Sequence, residues 1–585
     1  MSLRRKLQLF CVVCAMLPST LSAANGYEVN IERAVETKMR DGIVLRADIY
    51  SPKADGQFPV LLSRTPYDKR GGQHFGETAA GRGYVVIVQD VRGRYTSDGE
   101  WYPFKHESAD GYDTIEWAAT LPYSNGKVGM FGGSYVGATQ MLAAIAHPPH
   151  LAGICPVVTA SNYHDGWTYQ GGAFEQWFDE SWTAGLAEDT LNRRIRDNNN
   201  AMVSIEKLPL SSFPVQNPFP YAELAPYFFD WLAHPAYDDF WKQWSIEDHH
   251  GQITVPVFHM GAWYDIFLGG TLRNFAGLKV RAGNDAARHG QRLLVSVGGH
   301  AGDEPKIGEL DFGPSSPVDT DEVMLAWYDN ILRGVSNDAR QVKPVRIFVM
   351  GKNLWRDEDD WPLARAKNIR YYLRSAGRAQ SLRGDGTLSP LATTVKTESD
   401  EYTYDPADPA RTRGGQLCCD HAHMPAGPFD QRAIEARSDV LVYTTPALQT
   451  DLEVTGPIAV ELYVRSSALD TDFTAKLVDF WPNGFAQNLT DGILRMRYRN
   501  SQEKTELMEP GKVYKITIDL AATSNVFLAG HQLRLEISSS NFPRFDRNLN
   551  TGEEQAHATR MVKAVNTVVH DREHPSALIL PIVPQ

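Results

Sequence analysis

"KVGMFGGSYVGATQMLAAIAH" (residues 127–147) changes character at its centre. A short apolar run leads to Gly132, Gly133 and Ser134, and an alanine-rich segment of good helix formers follows, with Gly137 inside it. This is the pattern of a strand, a sharp turn and a helix. Such a turn holds the serine in a strained backbone conformation at the carboxyl end of a strand, and the glycines relieve crowding against strand and helix. The helix that follows aims its free N–H groups and positive dipole end at the same spot, which suits a developing oxyanion. On this stretch alone Ser134 reads either as a nucleophile or as part of a tight structural turn. The usual nucleophile spacing is G-x-S-x-G, and here Val136 stands where the last glycine belongs, with the glycine displaced to Gly137.

The surrounding chain supplies a sheet. "IVLRADIY" (43–50), "FPVLLS" (58–63) and "YVVIVQD" (84–90) read as strands, and "ADGYDTIEWAATL" (109–121) as a helix before the serine stretch. The alternation resumes at "VPVFHMGAWYD" (255–265) and "RLLVSVGGH" (292–300) and closes with a helical piece, "VDTDEVMLAWYDNILRG" (318–334). Strands that alternate with helices imply a parallel sheet with both faces covered. The fold class expected is therefore α/β, an α/β-hydrolase with the serine at its nucleophile elbow.

Residues 160–248 interrupt this pattern with "NYHDGWTYQGGAFEQWFDESW", which carries Tyr163, Trp167, Tyr169, Phe174, Trp177, Phe178 and Trp182. That aromatic density fits a helical cap over a cleft as well as a satellite core. From 343 onward short alternating strands are separated by Gly, Pro, Asn and Asp, as in an all-β sandwich or jelly roll. The expected division is a leader at 1–24, a hydrolase domain at 25–159 and 249–342, the cap at 160–248, and a C-terminal jelly roll at 343–585.

A nucleophilic serine needs a base and an orienting carboxylate, which in this fold follow in the order serine, acid, histidine at the ends of later strands. Asp265 ends "VPVFHMGAWYD" and His300 ends "RLLVSVGGH" at a glycine-rich turn. The bland alternative for Asp265 is a helix N-cap. Tyr67, in "LLSRTPYDKRG" (61–71), lies where this fold places its second oxyanion donor, and reads equally as a packed loop tyrosine. His259 sits within an apolar strand and reads as a core residue. The pair His249 and His250 lacks the further ligands a metal needs, so no metal and no cofactor are expected.

Composition narrows the partners. Hydrophobic residues at 42% and charged residues at 22% over 585 residues are those of a globular, multidomain chain. A net charge of −13 with no basic block argues against nucleic acid and against an anionic membrane surface. The expected partners are a small-molecule ester or amide substrate and, if the chain self-associates, a second copy of itself. Arg4, Arg5 and Lys6, an apolar stretch from Leu7 to Leu17, and small residues after it read as a secretion signal cleaved near Ala23 or Ala24, giving a periplasmic or secreted protein. The mature chain keeps Cys155, Cys418 and Cys419; a bridge between adjacent cysteines is strained, so a disulfide framework is not expected.

Taken in order, "RTPYDK" (64–69), "QDVRGRYTSDGEW" (89–101), "GGSYVGATQ" (132–140), "GAWYDIF" (261–267) and "GGH" (298–300) resemble the motifs of the CocE/NonD family of serine hydrolases. "IFVMGKNLWR" (347–356) and "GHQLRLEISSSNFPRFDRN" (530–548) resemble its later segments. The resemblance spans nearly the whole mature chain. Its serine motif is itself G-x-S-Y-x-G, which accounts for Val136 and Gly137. It implies Ser134 as nucleophile, Asp265 as acid, His300 as base, and the Tyr67 hydroxyl with the Tyr135 backbone N–H as oxyanion hole. Gly298 and Gly299 stand where the family often has proline and tryptophan.

Members that take α-amino acyl groups carry carboxylates just after the triad aspartate, where this chain has Ile266, Phe267 and Leu268. The aromatic cap and these apolar positions therefore favour an ester with an apolar or aromatic acyl group, met by Trp167, Phe174, Trp177 and Phe267. A free ammonium on the acyl group would need Asp165, Glu175 or Asp179 from the cap to supply the charge. The alternatives are an amide acylase of the β-lactam side-chain type, an X-Pro or aminoacyl peptidase and, outside enzymes, a carbohydrate-binding jelly-roll protein.

Overall fold

The computed structural model describes residues 26–196, 208–209, 224–300, 302, 304–335, 343–394, 398–420 and 422–584. The expected leader lies outside the described residues, as does the middle of the cap. Ten strands form the first sheet: β1 (Val29–Lys38), β2 (Val44–Pro52), β3 (Phe58–Thr65), β4 (Val85–Asp90), β5 (Ser124–Gly133), β6 (Leu151–Val157), β7 (Phe258–Ala262), β8 (Arg292–Ser296), β9 (Val345–Val349) and β10 (Leu354–Glu358). Their spatial order is β1-β2-β4-β3-β5-β6-β7-β8-β9-β10. Pairing is parallel from β4 to β9 and antiparallel at β1, β2 and β10.

Alternation along each strand explains how one sheet carries two cores. Leu62, Ile87 and Met130 face one way, into the core that includes helices α2 (Glu107–Ala119) and α3 (Tyr135–Ile145) and the cap. Their neighbours Leu61, Val86 and Phe131 face the other, against Phe75 and Ala79 of α1 (Gln73–Gly81) and Leu325 and Tyr328 of a helix over Thr320–Arg333. Every residue of β4 is buried, as an interior parallel strand requires.

One boundary differs from the sequence expectation. The strand at 345–349, expected in the C-terminal domain, pairs in parallel with β8 through Leu293 and Val345, and β10 then pairs with it. The first strand of the all-β sheet is Lys367–Arg374. "VRIFV" has the same short, apolar texture as the strands that follow, and which sheet accepts such a strand depends on contacts distant in sequence.

The C-terminal domain is all-β and built on an eleven-stranded sheet, and its longest strands, Leu452–Ser466 and Tyr514–Phe527, pair antiparallel. It holds the cap through backbone bonds and buried charge. Phe174 and Asp546 exchange hydrogen bonds, with the Phe174 N–H donating to Asp546 Oδ1 at 2.8 Å and the Asp546 N–H to the Phe174 carbonyl at 2.9 Å. The Trp177 N–H donates to the Pro543 carbonyl at 3.0 Å, and Arg544 donates to Gln170 at 2.9 Å. Among the described residues no helix is long and apolar enough to cross a membrane.

The cap helix α4 (Gln176–Arg196) opens with a buried acidic face. Glu175, Asp179 and Glu180 are all under 4% exposed. Burial pushes Glu175 up to about 7, relieved in part by Arg544, and pushes Glu180 up to about 8. A carboxyl raised in the folded chain binds its proton more tightly there than in the unfolded chain. Its stabilising contribution is therefore complete below about pH 4.5 and lost as pH rises through about 8. Glu180→Gln, which keeps an acceptor for the Gln176 amide, is expected to raise the thermal unfolding midpoint more at pH 9 than at pH 5; an equal change at both would contradict the shift.

Candidate active site

The turn between β5 and α3 holds Ser134 at φ 61° and ψ −126°. Such a conformation costs roughly 1–3 kcal/mol in a non-glycine residue and persists only where neighbours enforce it. They do so from both sides. The Ser134 N–H donates to the Val157 carbonyl at 2.9 Å, and its carbonyl accepts from the Gly137 and Ala138 N–H groups and from the Thr159 hydroxyl at 2.9–3.0 Å. The flanking glycines are needed for room. A Cβ on Gly132, itself at φ +127°, would lie 2.3 Å from Val136, and one on Gly137 would lie 2.8 Å from Thr159.

Tyr67 follows the end of β3. Its hydroxyl is hydrogen-bonded to the Ser134 hydroxyl and accepts from the Trp182 indole N–H at 3.0 Å. Removal from water raises its pKa, and both bonds oppose the rise, so the group stays a protonated donor. The residue as a whole is nonetheless 39% exposed.

Tyr135 begins α3. Its ring is buried, its hydroxyl donates to Glu107 Oε1 at 2.9 Å and accepts from the Phe104 N–H at 2.8 Å. Burial first, and then the Glu107 charge, push this phenol well above its ordinary pKa. Its backbone N–H, at the first helical position, has no partner within the helix.

Asp265 lies on the turn after β7 and His300 on the loop after β8. His300 Nδ1 and Asp265 Oδ1 are 2.7 Å apart, and their side chains are 8% and 0% exposed. The two loops are tied by backbone: the Trp263 N–H donates to the Ser296 carbonyl at 2.9 Å and the Tyr264 N–H to the Gly298 carbonyl at 3.1 Å. Asp265 is not the N-cap of the following helix, α5 (Leu268–Arg281), whose cap residue is Phe267. His259 bonds Gln291 at 2.9 Å inside the core, and burial lowers it to about 4.

Of the four residues expected to meet the acyl group, two stand beside the histidine. Phe267 meets His300 edge-on at 5.2 Å, and Trp167 stacks on Phe267 at 4.4 Å. Phe174 does not join them: it packs against Tyr169 and Phe228 in the interior of the cap. Trp177 packs one layer out, against Leu417, Met424 and Phe542 of the C-terminal domain. All four are at most 1% exposed, because a dense group of rings satisfies itself first.

Sequence reasoning missed three neighbours. Trp182 was one aromatic among many, and nothing local marks an indole whose N–H meets Tyr67. Cys418 and Cys419 arrive from the C-terminal domain, where Leu417 forms a β-bridge with Asp265. They are joined to each other in a vicinal bridge, a single local link rather than a framework. With His300 they make a group of three whose ligand atoms all lie within 4.8 Å of one another.

Comparison with known proteins agrees with this architecture. Residues 41–302 match the X-Pro dipeptidyl-peptidase (S15) family and residues 337–579 its C-terminal non-catalytic domain. The chain is 38% identical over 576 residues to cocaine esterase of Rhodococcus sp. (strain MB1 Bresler), covering 94% of this chain and 98% of that one. Among solved structures, an aminopeptidase from a marine sediment Thaumarchaeota archaeon superposes with a TM-score of 0.80 at 26% identity, covering 98% of this chain and 99% of that one. An α-amino acid ester hydrolase shares the fold with a TM-score of 0.81 at 24% identity, over 97% and 100% of the two chains. An elbow serine followed by a capped α/β domain and an all-β C-terminal domain, with this likeness over nearly the full length, means that the chain belongs to the CocE/NonD group of serine hydrolases acting on esters, within the X-Pro dipeptidyl-peptidase S15 family.

Proposed function

We propose that this protein is an exported esterase that cleaves carboxylic esters with an apolar or aromatic acyl group, using Ser134, His300 and Asp265. The observation that carries the reading is the 2.7 Å bond from His300 Nδ1 to Asp265 Oδ1. It fixes the tautomer in which Nε2 is free to accept a proton, as a general base must. His300 Nε2 takes the Ser134 proton as Oγ attacks the substrate carbonyl. The oxyanion is met by the Tyr67 O–H and the Tyr135 backbone N–H, and the Trp182 N–H bonded to the Tyr67 oxygen strengthens that phenol as a donor. The imidazolium then gives its proton to the leaving alkoxide, and water repeats the sequence on the acyl-enzyme.

The acyl preference rests on Ile266, Phe267 and Leu268, all at most 9% exposed, which put apolar surface directly after the acid. The leader expected at 1–24 supports export.

One observation favours a second reading, in which the acyl group carries an ammonium. Asp179 is fully buried, and neither carboxylate oxygen has a partner among the described residues. It lies one helical turn before Trp182, hence on the same face as the residue that touches Tyr67. Burial raises its pKa well above the ordinary range, and an incoming ammonium is what would ionise it.

Three measurements test these readings. Ser134→Ala is expected to abolish hydrolysis of p-nitrophenyl esters and labelling by a fluorophosphonate. Tyr67→Phe should lower kcat about 10²- to 10³-fold, the usual loss for one oxyanion donor; a change within a few-fold would remove Tyr67 from the role. Asp179→Asn should leave kcat/KM for p-nitrophenyl phenylacetate within a few-fold. A selective loss on the matching phenylglycine ester, or rapid turnover of a Gly-Pro anilide, would transfer the assignment to the ammonium reading.

A further inference from the structure

In the C-terminal domain, residues 415–420 and 422–427 lie between reciprocal backbone bonds that join Gly415 and Gly427 at 2.8 and 3.0 Å. They reach the catalytic domain at two points: Gln416 donates to the Trp263 carbonyl at 3.2 Å, and Leu417 bridges Asp265. The next residues are therefore delivered to His300. Cys418 is 3% exposed, Cys419 is exposed, and both sulfurs lie within 4.8 Å of each other and of a His300 ring nitrogen. His300 Nδ1 is already committed to Asp265, so the nitrogen left for any further ligand is Nε2.

We propose that, when Cys418 and Cys419 are reduced, their two thiolates and His300 Nε2 form a binding site for a soft divalent cation of the zinc type, and that filling it switches the hydrolase off. The donor set is Cys2His, which suits zinc and disfavours magnesium or calcium. Tetrahedral coordination at ordinary zinc–sulfur and zinc–nitrogen lengths places ligand atoms about 3.5–3.8 Å apart, so the two sulfurs, bonded to each other in the disulfide, must separate on reduction, and the histidine nitrogen needs to approach them by at most about 1 Å. The exposed Cys419 side chain is free to supply that movement. Asp265 on Nδ1 completes the carboxylate–histidine–metal arrangement that orients imidazole ligands elsewhere.

The chemistry balances simply. A phosphine reductant and one water convert the disulfide to two thiols and the phosphine to its oxide. Binding of the cation then displaces one proton from each thiol to solvent. The Nε2 lone pair that would accept the Ser134 proton is held by the metal, and the remaining coordination position is left to water. The loss of activity rests on His300 being the base, as proposed above; the binding itself does not.

The test uses the full chain, reduced with a phosphine that is then removed under nitrogen. Cobalt(II) titration is expected to produce a thiolate-to-cobalt charge-transfer absorption at one equivalent, discharged by zinc. Esterase activity should fall in step with zinc occupancy to the level of Ser134→Ala, while the unreduced protein keeps its activity at the same zinc concentration. Cys418→Ser/Cys419→Ser, and separately Cys419→Ser at the exposed position alone, should lose both the band and the inhibition while keeping activity without metal. No band in the reduced protein, a band with undiminished activity, or inhibition that survives in the serine variants would overturn the proposal. Retained hydrolysis by Ser134→Ala would instead overturn the triad reading, and the cobalt band, which needs no turnover, would still report on the site.

Discussion

A single buried carboxylate, Glu107, ties together the two backbone segments that the proposed oxyanion hole needs. Its Oε2 pairs with Arg64 Nη1 at 2.7 Å and its Oε1 accepts from the Tyr135 hydroxyl at 2.9 Å. Arg64 stands at the end of β3, three residues before Tyr67, and Tyr135 directly follows Ser134. The spacing between the two proposed donors is thus set beneath the site, by a carboxylate that is itself buried. Burial raises Glu107, and Arg64 is the chief influence opposing that rise. Removing one member of such a buried pair costs more than the pair contributes, because the survivor is left uncompensated. The same residues explain why Tyr135 is a tyrosine although its proposed catalytic contribution is only a backbone N–H: its hydroxyl anchors the first turn of α3 to Glu107 and Phe104.

The second half of the site is assembled from farther away. The C-terminal domain bonds the cap near Gln170, Phe174 and Trp177, and it sends Leu417 to Asp265. The cap in turn places Trp182 on Tyr67. Each proposed catalytic group is therefore braced by a different part of the chain: the serine by the sheet, the tyrosine by the cap, the acid by the all-β domain. A domain without a pocket of its own in the proposed chemistry still bears on its geometry, which gives physical content to the label "non-catalytic" for residues 337–579.

These differences in origin explain what was legible in the sequence. Ser134, Asp265 and His300 each lie at the end of a short apolar strand next to a glycine or a turn, so their placement follows from local pattern and chain order. The strand at 345–349 was assigned to the wrong sheet because its five residues carry apolar character but no information about their neighbours. Trp182 and Cys418 were invisible as site residues for the same reason, since each reaches the site by long-range packing. The acyl-binding residues were partly mislocated because large rings were treated as surface for a substrate. Phe174, just ahead of the cap helix, is taken up by Tyr169 and Phe228, and Trp177, in its first turn, by Leu417, Met424 and Phe542.

That consumption leaves the chemistry of the recess to be decided by a few polar atoms rather than by its many rings. With Ile266, Phe267 and Leu268 after the acid, an uncharged acyl group finds apolar contact and leaves Asp179 protonated, which in a dry setting is the lower-energy state. A cationic acyl group would have to draw the proton from Asp179 and form a buried ion pair, whose attraction must exceed the cost of desolvating both charges. Members of the family with carboxylates after the triad acid spread that cost over several acceptors, whereas in this chain it would fall on Asp179, whose carboxylate has no partner among the described residues. In the proposed reading, the balance between one buried carboxyl and three apolar side chains is what tilts the site toward esters without an amine.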